Sequence, residues 1–171
     1  MIPFGGKTPQ VHPSAFLAPT AVLIGDITVD AESSVWFGAV LRADFGAIRI
    51  GKRSSFQENV SVHVYPGSQT VVGDDVTVGH NAVLHDCQID NDCLVGMGAV
   101  VLQHVTIEAH SLVAAGVVVT DNTQVPPNTL VAGIPAKPAK SIEGRSAEWL
   151  EGSASGYVEL ARRYKEAGID R

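Results

Sequence analysis

The sequence predicts an all-β chain wound as a parallel β-helix of hexapeptide repeats and closed by one C-terminal α-helix. Two observations carry this reading. Aliphatic residues recur every six positions along most of the chain. The composition is also rich in Gly (17) and poor in aromatics (two Trp, three Tyr and five Phe), as short strands joined by tight turns require. A period of six fits neither an α-helix at 3.6 nor an alternating strand at 2. It fits a short strand plus a turn, with one aliphatic side chain per repeat entering a narrow core. Three repeats make one coil of a triangular prism, about 18 residues per coil, and coils stack about 4.8 Å apart. A β-sandwich does not keep a fixed period through its loops.

Along the chain the repeats fall into triplets. Val29, Val35 and Leu41 form the first, Ile50, Phe56 and Val62 the second, and Val72, Val78 and Leu84 the third. An unbroken run follows through Ile89, Val95, Val101, Ile107, Val113, Val119, Val125 and Val131. The frame slips between triplets, by three extra residues after Leu41, four after Val62 and one fewer after Leu84. Insertions in a solenoid are expected as corner loops, with Tyr65–Thr70 as the clearest, and function gathers at such a corner. Pro126, Pro127, Pro135 and Pro138 end the repeats. Residues 146–167 read as a helix, with Ser155 as candidate N-cap and Tyr157, Leu160, Ala161 and Tyr164 on one face. The chain therefore divides into a β-helix domain, 1–140, and a C-terminal helical extension, 141–171.

With 171 residues the chain can bury a core without disulfide staples. A formal net charge of −6 argues against nucleic acid and anionic membrane surfaces as partners. Two cysteines, Cys87 and Cys93, are too few for a disulfide framework or an all-thiolate zinc site. No apolar run approaches the ~18 residues of a membrane span, and the N-terminus lacks the pattern of a secretory signal. A cytoplasmic protein is the expectation.

Three of the six histidines stand out on the repeat frame. His63 follows Val62 and His85 follows Leu84, so both point outward from the same side one coil apart. Arg42 holds the same position one coil earlier. Two imidazoles at ~4.8 Å can share a metal ion, since zinc binds ring nitrogens at about 2.0–2.1 Å. His80 lies on another side and cannot join them within one chain. In a cyclic assembly, His80 of one subunit meets His63 and His85 of the next, and a trimer closes the ring. His12, His104 and His110 have no such company and are read as structural.

These residues resemble those of the γ-class carbonic anhydrases. The likeness rests on LRADFGAIRIG (41–51), QENVSVH (57–63) and VVGDDVTVGHNAVLHDC (71–87), and covers roughly residues 10 to 140. It implies a left-handed β-helix and a homotrimer, with Zn2+ (Fe2+ and Co2+ as alternatives) between subunits on His63, His85 and the neighbour's His80. It also implies reversible hydration of CO2 to bicarbonate by a metal-bound hydroxide. Gln57 would hold the hydroxide or bicarbonate, and Arg42 and Asp44 would serve the site and interface as a pair, expected across the subunit boundary. Glu58 reads as a solvated or interface carboxylate, with proton handling as the second alternative. The chain departs from the fully active archaeal type. The loop after His63 carries no carboxylate before Asp74, and Phe45 occupies a second acidic position. Tyr65 and buffer are the candidate substitutes for the missing proton relay. Other readings of the same residues are a metal-dependent ester or thioester hydrolase, a hexapeptide acyltransferase and a non-catalytic assembly subunit.

Overall fold

In the computed structural model, which describes residues 1–170, the chain winds into a parallel β-solenoid of about seven turns followed by one helix. Arg171, the last residue of the predicted extension, lies outside the described residues. The three sides of the prism are drawn from two sheets. One stacks eight strands, from Phe16–Leu17 to Lys137–Ser141. The other has eleven strands and covers two sides, because the long strand Val40–Ile50 belongs to both. Its Val40–Leu41 end pairs with Ser61–Val62, and its Ala47–Ile50 end pairs with Gln69–Val72.

Every aliphatic residue of the six-residue frame is buried. Ile89, Val95, Val101, Ile107, Val113, Val119, Val125 and Val131 are at most 1% exposed, and no member of the three triplets exceeds 3%. Truncating one of the larger members, such as Ile107→Ala, is expected to cost about 2–5 kcal/mol, because a rigid ladder cannot collapse around the cavity. The corners need a backbone that turns sharply, and many take positive φ. His104 and His110 sit at two of them, both at φ 58°. Cys93 falls in a column of small side chains at one inner corner with Ser54 and Ser111, where Sγ lies 3.3 Å from the Glu108 carbonyl oxygen.

The frame slips have three different outcomes. The three extra residues after Leu41 do not form a loop. They are absorbed as a bulge inside the continuous strand Val40–Ile50, where Gly25 pairs with Ala43 but Asp26 pairs with Ala47. Asp44, Phe45 and Gly46 are the residues left over. The four extra residues after Val62 do form a loop, but it is shorter than predicted, since the next strand begins at Gln69. The deletion after Leu84 tightens the turn at Asp86 (φ 55°).

The proline-rich segment reverses the chain, and Lys137–Ser141 pairs antiparallel with Thr129–Ala132. The helix then spans Arg145–Glu166. Ser155 is not its N-cap. Gly144 starts the helix, and Ser155 lies in its interior with Oγ donating to the Gly152 carbonyl. Packing carries the helix past that residue, since Leu150 and Ala154 are buried and Ser153 Oγ donates to Thr77 Oγ1. The predicted face, with Tyr157 and Tyr164, lies on Trp36, and Tyr164 also meets Phe16 and Phe37. Lys165 fixes the far end by donating to the carbonyls of Pro13 and Ala15. Among the described residues, no helix is long and apolar enough to cross a membrane.

Candidate metal centre

His63 and His85 are paired directly across a parallel ladder. Val62 and Leu84, one position earlier, point into the core at 1% and 0% exposure, so both imidazoles emerge on the outer face. His63 Nδ1 lies 3.2 Å from His85 Nε2. Two ligands each about 2.0–2.1 Å from a tetrahedral ion stand roughly 3.3 Å apart, so the pair fits a shared metal with little adjustment. Burial, and then the neighbouring His63, push the His85 pKa down, which favours the neutral imidazole that a metal requires. His85 Nδ1 is buried without a hydrogen-bond partner.

The bulge in Val40–Ile50 delivers Asp44 to this pair. Asp44 Oδ1 lies 2.8 Å from His63 Nε2, and its other oxygen accepts from Arg42. The Arg42–Asp44 contact forms within one chain, where the sequence reading expected it between subunits. The two residues stand two apart on the bulged strand, within easy reach of each other. Burial raises the Asp44 pKa, but the hydrogen bonds from His63 and Arg42 prevail and hold it below the usual carboxylate range. Gly46 lets the bulge press on the loop that follows, since a Cβ there would sit 2.1 Å from the Ser68 carbonyl oxygen. The Gly67 N–H closes the contact by donating to the Phe45 carbonyl. The Phe45 side chain is 57% exposed with its ring 5.8 Å from that of His63, so an apolar ring borders the pair.

His80 occupies a second location. Phe56 pairs with Val78, which sets Gln57 beside Gly79 and Glu58 beside His80 on successive coils. Gln57 is buried, and its Oε1 accepts from the His80 backbone N–H at 3.1 Å. Glu58 Oε2 lies 2.7 Å from His80 Nδ1. The structure thus joins Gln57 and Glu58 with His80, and joins Arg42 and Asp44 with His63 and His85. Among the described residues, no group of three or more His, Cys, Asp or Glu side chains of one chain is arranged to hold a metal ion.

Residues 69–103 and 86–121 match the family model described as bacterial transferase hexapeptide (six repeats). A carbonic anhydrase of Geobacillus kaustophilus is 40% identical over 163 residues, covering 95% of this chain and 90% of that protein. The chain belongs to the γ-class carbonic anhydrase-like family. The mitochondrial gamma carbonic anhydrase 2 of Arabidopsis thaliana is also 40% identical, over 91% of this chain, which spans only 58% of that protein's length. A solved structure of a hexapeptide transferase family protein from Anaplasma phagocytophilum superposes with a TM-score of 0.92 at 37% identity, covering 95% of this chain and 96% of that one. The family thus joins the names of a lyase and a transferase on one fold.

Two acidic residues near the histidines take positions the sequence reading did not give them. Glu58 was read as a solvated or interface carboxylate and not set beside His80, although its separation from His80 repeats the 22 residues between His63 and His85. That shared spacing was the available signal. Asp86 gave none. Its carboxylate is buried, 3.2 Å from His104 Nδ1 but out of line for a hydrogen bond.

Proposed function

We propose that the protein is a metal-dependent enzyme of the carbonic anhydrase type, hydrating CO2 reversibly to bicarbonate at sites shared between subunits of a homotrimer. The observation that carries this reading is the division of the candidate ligands into two half-sites. His63 and His85 face each other at a metal-ligand separation, while His80 is held apart with Nδ1 engaged and Nε2 remaining. A neighbouring subunit completes the set. The face beside the histidines suits that contact, because Val22, Val40, Val83, Val100 and Val118 form an outward row in register along it, interrupted by Ser61.

Three neutral imidazoles suit Zn2+, with Fe2+ and Co2+ as alternatives. When bound, such an ion supplies a Lewis-acid centre that lowers the pKa of a water molecule to about 7. The chain's own groups do the rest. Asp44 accepts from His63 and fixes which nitrogen carries the proton, and Arg42 steadies Asp44 from the other side. Gln57 offers an amide N–H2 to a bicarbonate oxygen while its Oε1 stays committed to the His80 backbone. Phe45 shields the His63 side of the site from solvent. The loop Tyr65–Ser68 has no carboxylate, so proton export falls to the exposed Tyr65 hydroxyl or to buffer.

Metal content of anaerobically purified protein, paired with stopped-flow CO2 hydration on the same sample, tests the reading. About one ion per three-histidine site with chelator-sensitive hydration supports it. A full site without hydration moves the protein to another electrophile, and a metal-free native protein removes the central claim.

A second reading, attack on an ester or thioester at the same centre, is favoured by one observation. An apolar groove of about 380 Å³ runs beneath the C-terminal helix from Gln57 past Leu94 and Leu112 to Trp149. A medium-length acyl chain fits that shape. Hydrolysis of medium-chain thioesters that exceeds CO2 hydration in chelator sensitivity would favour it.

A further inference from the structure

We propose that Glu58 is a positioning residue for His80: its carboxylate holds the proton on Nδ1 and thereby presents Nε2 to the metal shared with the next subunit. The inference rests on the reading of His80 as a ligand.

The argument begins with register. Phe56 and Val78 pair across the ladder, so Glu58 and His80, two residues later on each strand, stand side by side one coil apart. Both leave the core in the same direction. Their contact, Oε2 to Nδ1 at 2.7 Å, is an ion-pair distance that sets the carboxylate against that nitrogen.

The backbone around His80 is already clamped from the coil below. Gln57 Oε1 accepts from the His80 N–H, and the Glu58 carbonyl accepts from the Asn81 N–H at 2.9 Å. What these bonds leave free is rotation of the ring and the choice of protonated nitrogen. Glu58 settles both. A carboxylate on one imidazole nitrogen fixes the tautomer and makes the other nitrogen a better donor to metal.

The other half-site repeats the device with a different residue. Asp44 takes one nitrogen of His63 and leaves Nδ1 turned towards His85. Each half-site therefore carries its own carboxylate, one delivered by a bulge and one by coil stacking. His85, the third ring, has a buried Nδ1 with no partner, so its orientation depends on packing and on His63.

A purely structural ion pair is the competing explanation, and it makes a different prediction. Glu58 and His80 keep 38% and 35% of their side-chain surface exposed, where an ion pair adds little to folding. The test uses the full chain with Zn2+ competed against a chromophoric chelator, and with Co2+ for its ligand-field absorption. Glu58→Ala should weaken Zn2+ about 10–100-fold and alter the Co2+ spectrum. Glu58→Gln, which keeps an acceptor oxygen, should recover most of the affinity. The melting temperature of the metal-free protein should not move in either variant. Wild-type affinity in Glu58→Ala, with metal lost in His80→Ala, would overturn the role of Glu58 and leave His80 as a ligand. Equal loss in both Glu58 variants together with a lower metal-free melting temperature would also overturn it, in favour of a structural pair. Metal retained by His80→Ala would overturn the reading of the site itself, and this role with it.

Discussion

His63 and His85 stand 22 residues apart in sequence and 3.2 Å apart between ring nitrogens. No helix or turn holds them there. The contact exists because the coil between them returns to the same side of the prism, with the four-residue insertion taken up as a loop on the way. Their separation is therefore a property of coil length, and it is rigid because Val62 and Leu84 are fixed in the core.

The first prediction follows from that pair. His85→Ala removes one of the two facing nitrogens and should reduce bound metal to background, as read by elemental analysis. Excess Zn2+ should raise the melting temperature of wild type but not of the variant. A ligand at 100 times its Kd stabilises by about 2.7 kcal/mol, a shift easily seen by calorimetry.

The bulge offers a second test away from the histidines. Gly46→Ala places a Cβ 2.1 Å from the Ser68 carbonyl oxygen, a backbone atom that cannot swing aside as a side chain would. The bulge and the Tyr65–Ser68 loop must separate. The expected cost is about 1–3 kcal/mol in urea unfolding. Because Asp44 rides on the same bulge, Zn2+ affinity should fall as well, without any ligand having been changed.

Tyr164 is the hinge pin of the helix. Its ring meets Phe16, Trp36 and Phe37 at centroid distances of 5.6, 5.2 and 6.0 Å. Tyr164→Ala should cost about 2–4 kcal/mol, somewhat less than a fully buried aromatic. It should also shift Trp36 emission to longer wavelength as water reaches the indole. Unchanged emission would show that the helix stays docked by its remaining contacts.

The cysteines should be silent in the folded state. Both are buried, and burial pushes the Cys93 thiol up to about 12. A thiol-specific reagent at pH 8 should label neither residue until the chain unfolds. The sign of the linkage is fixed by the direction of the shift. The stabilising effect of a neutral buried Cys93 is complete below its ordinary value of 9.0 and is lost as pH rises towards 12. Stability should therefore decline on the alkaline side.

Much of the fold was legible in the sequence, for a local reason. Each repeat carries its own inward aliphatic residue, so the six-residue period can be seen without knowing which coil lies above which. Ile89 through Val131 announce the core one residue at a time. The histidine column was legible on the same basis, because His63 and His85 each follow a core residue. Family resemblance supplied the expectations of a metal, of a neighbour's ligand and of a left-handed helix.

Other features depend on contacts between coils and were out of reach of a periodic pattern. Three extra residues after Leu41 read as a corner loop, and the structure takes them up as a bulge. The choice belongs to Gly46 and Ser68, which meet only when the next insertion folds over. The helix start at Gly144, rather than at Ser155, goes with the burial of Leu150 and Ala154 and with Ser153 reaching Thr77, 76 residues away in sequence. Asp44 on His63 and Glu58 on His80 arise from stacking of whole coils, with insertion lengths setting the register. Periodicity fixes which side chains face inward because that is decided repeat by repeat. Which outward side chains touch is decided by coil length and stacking, and these are properties of the assembled solenoid.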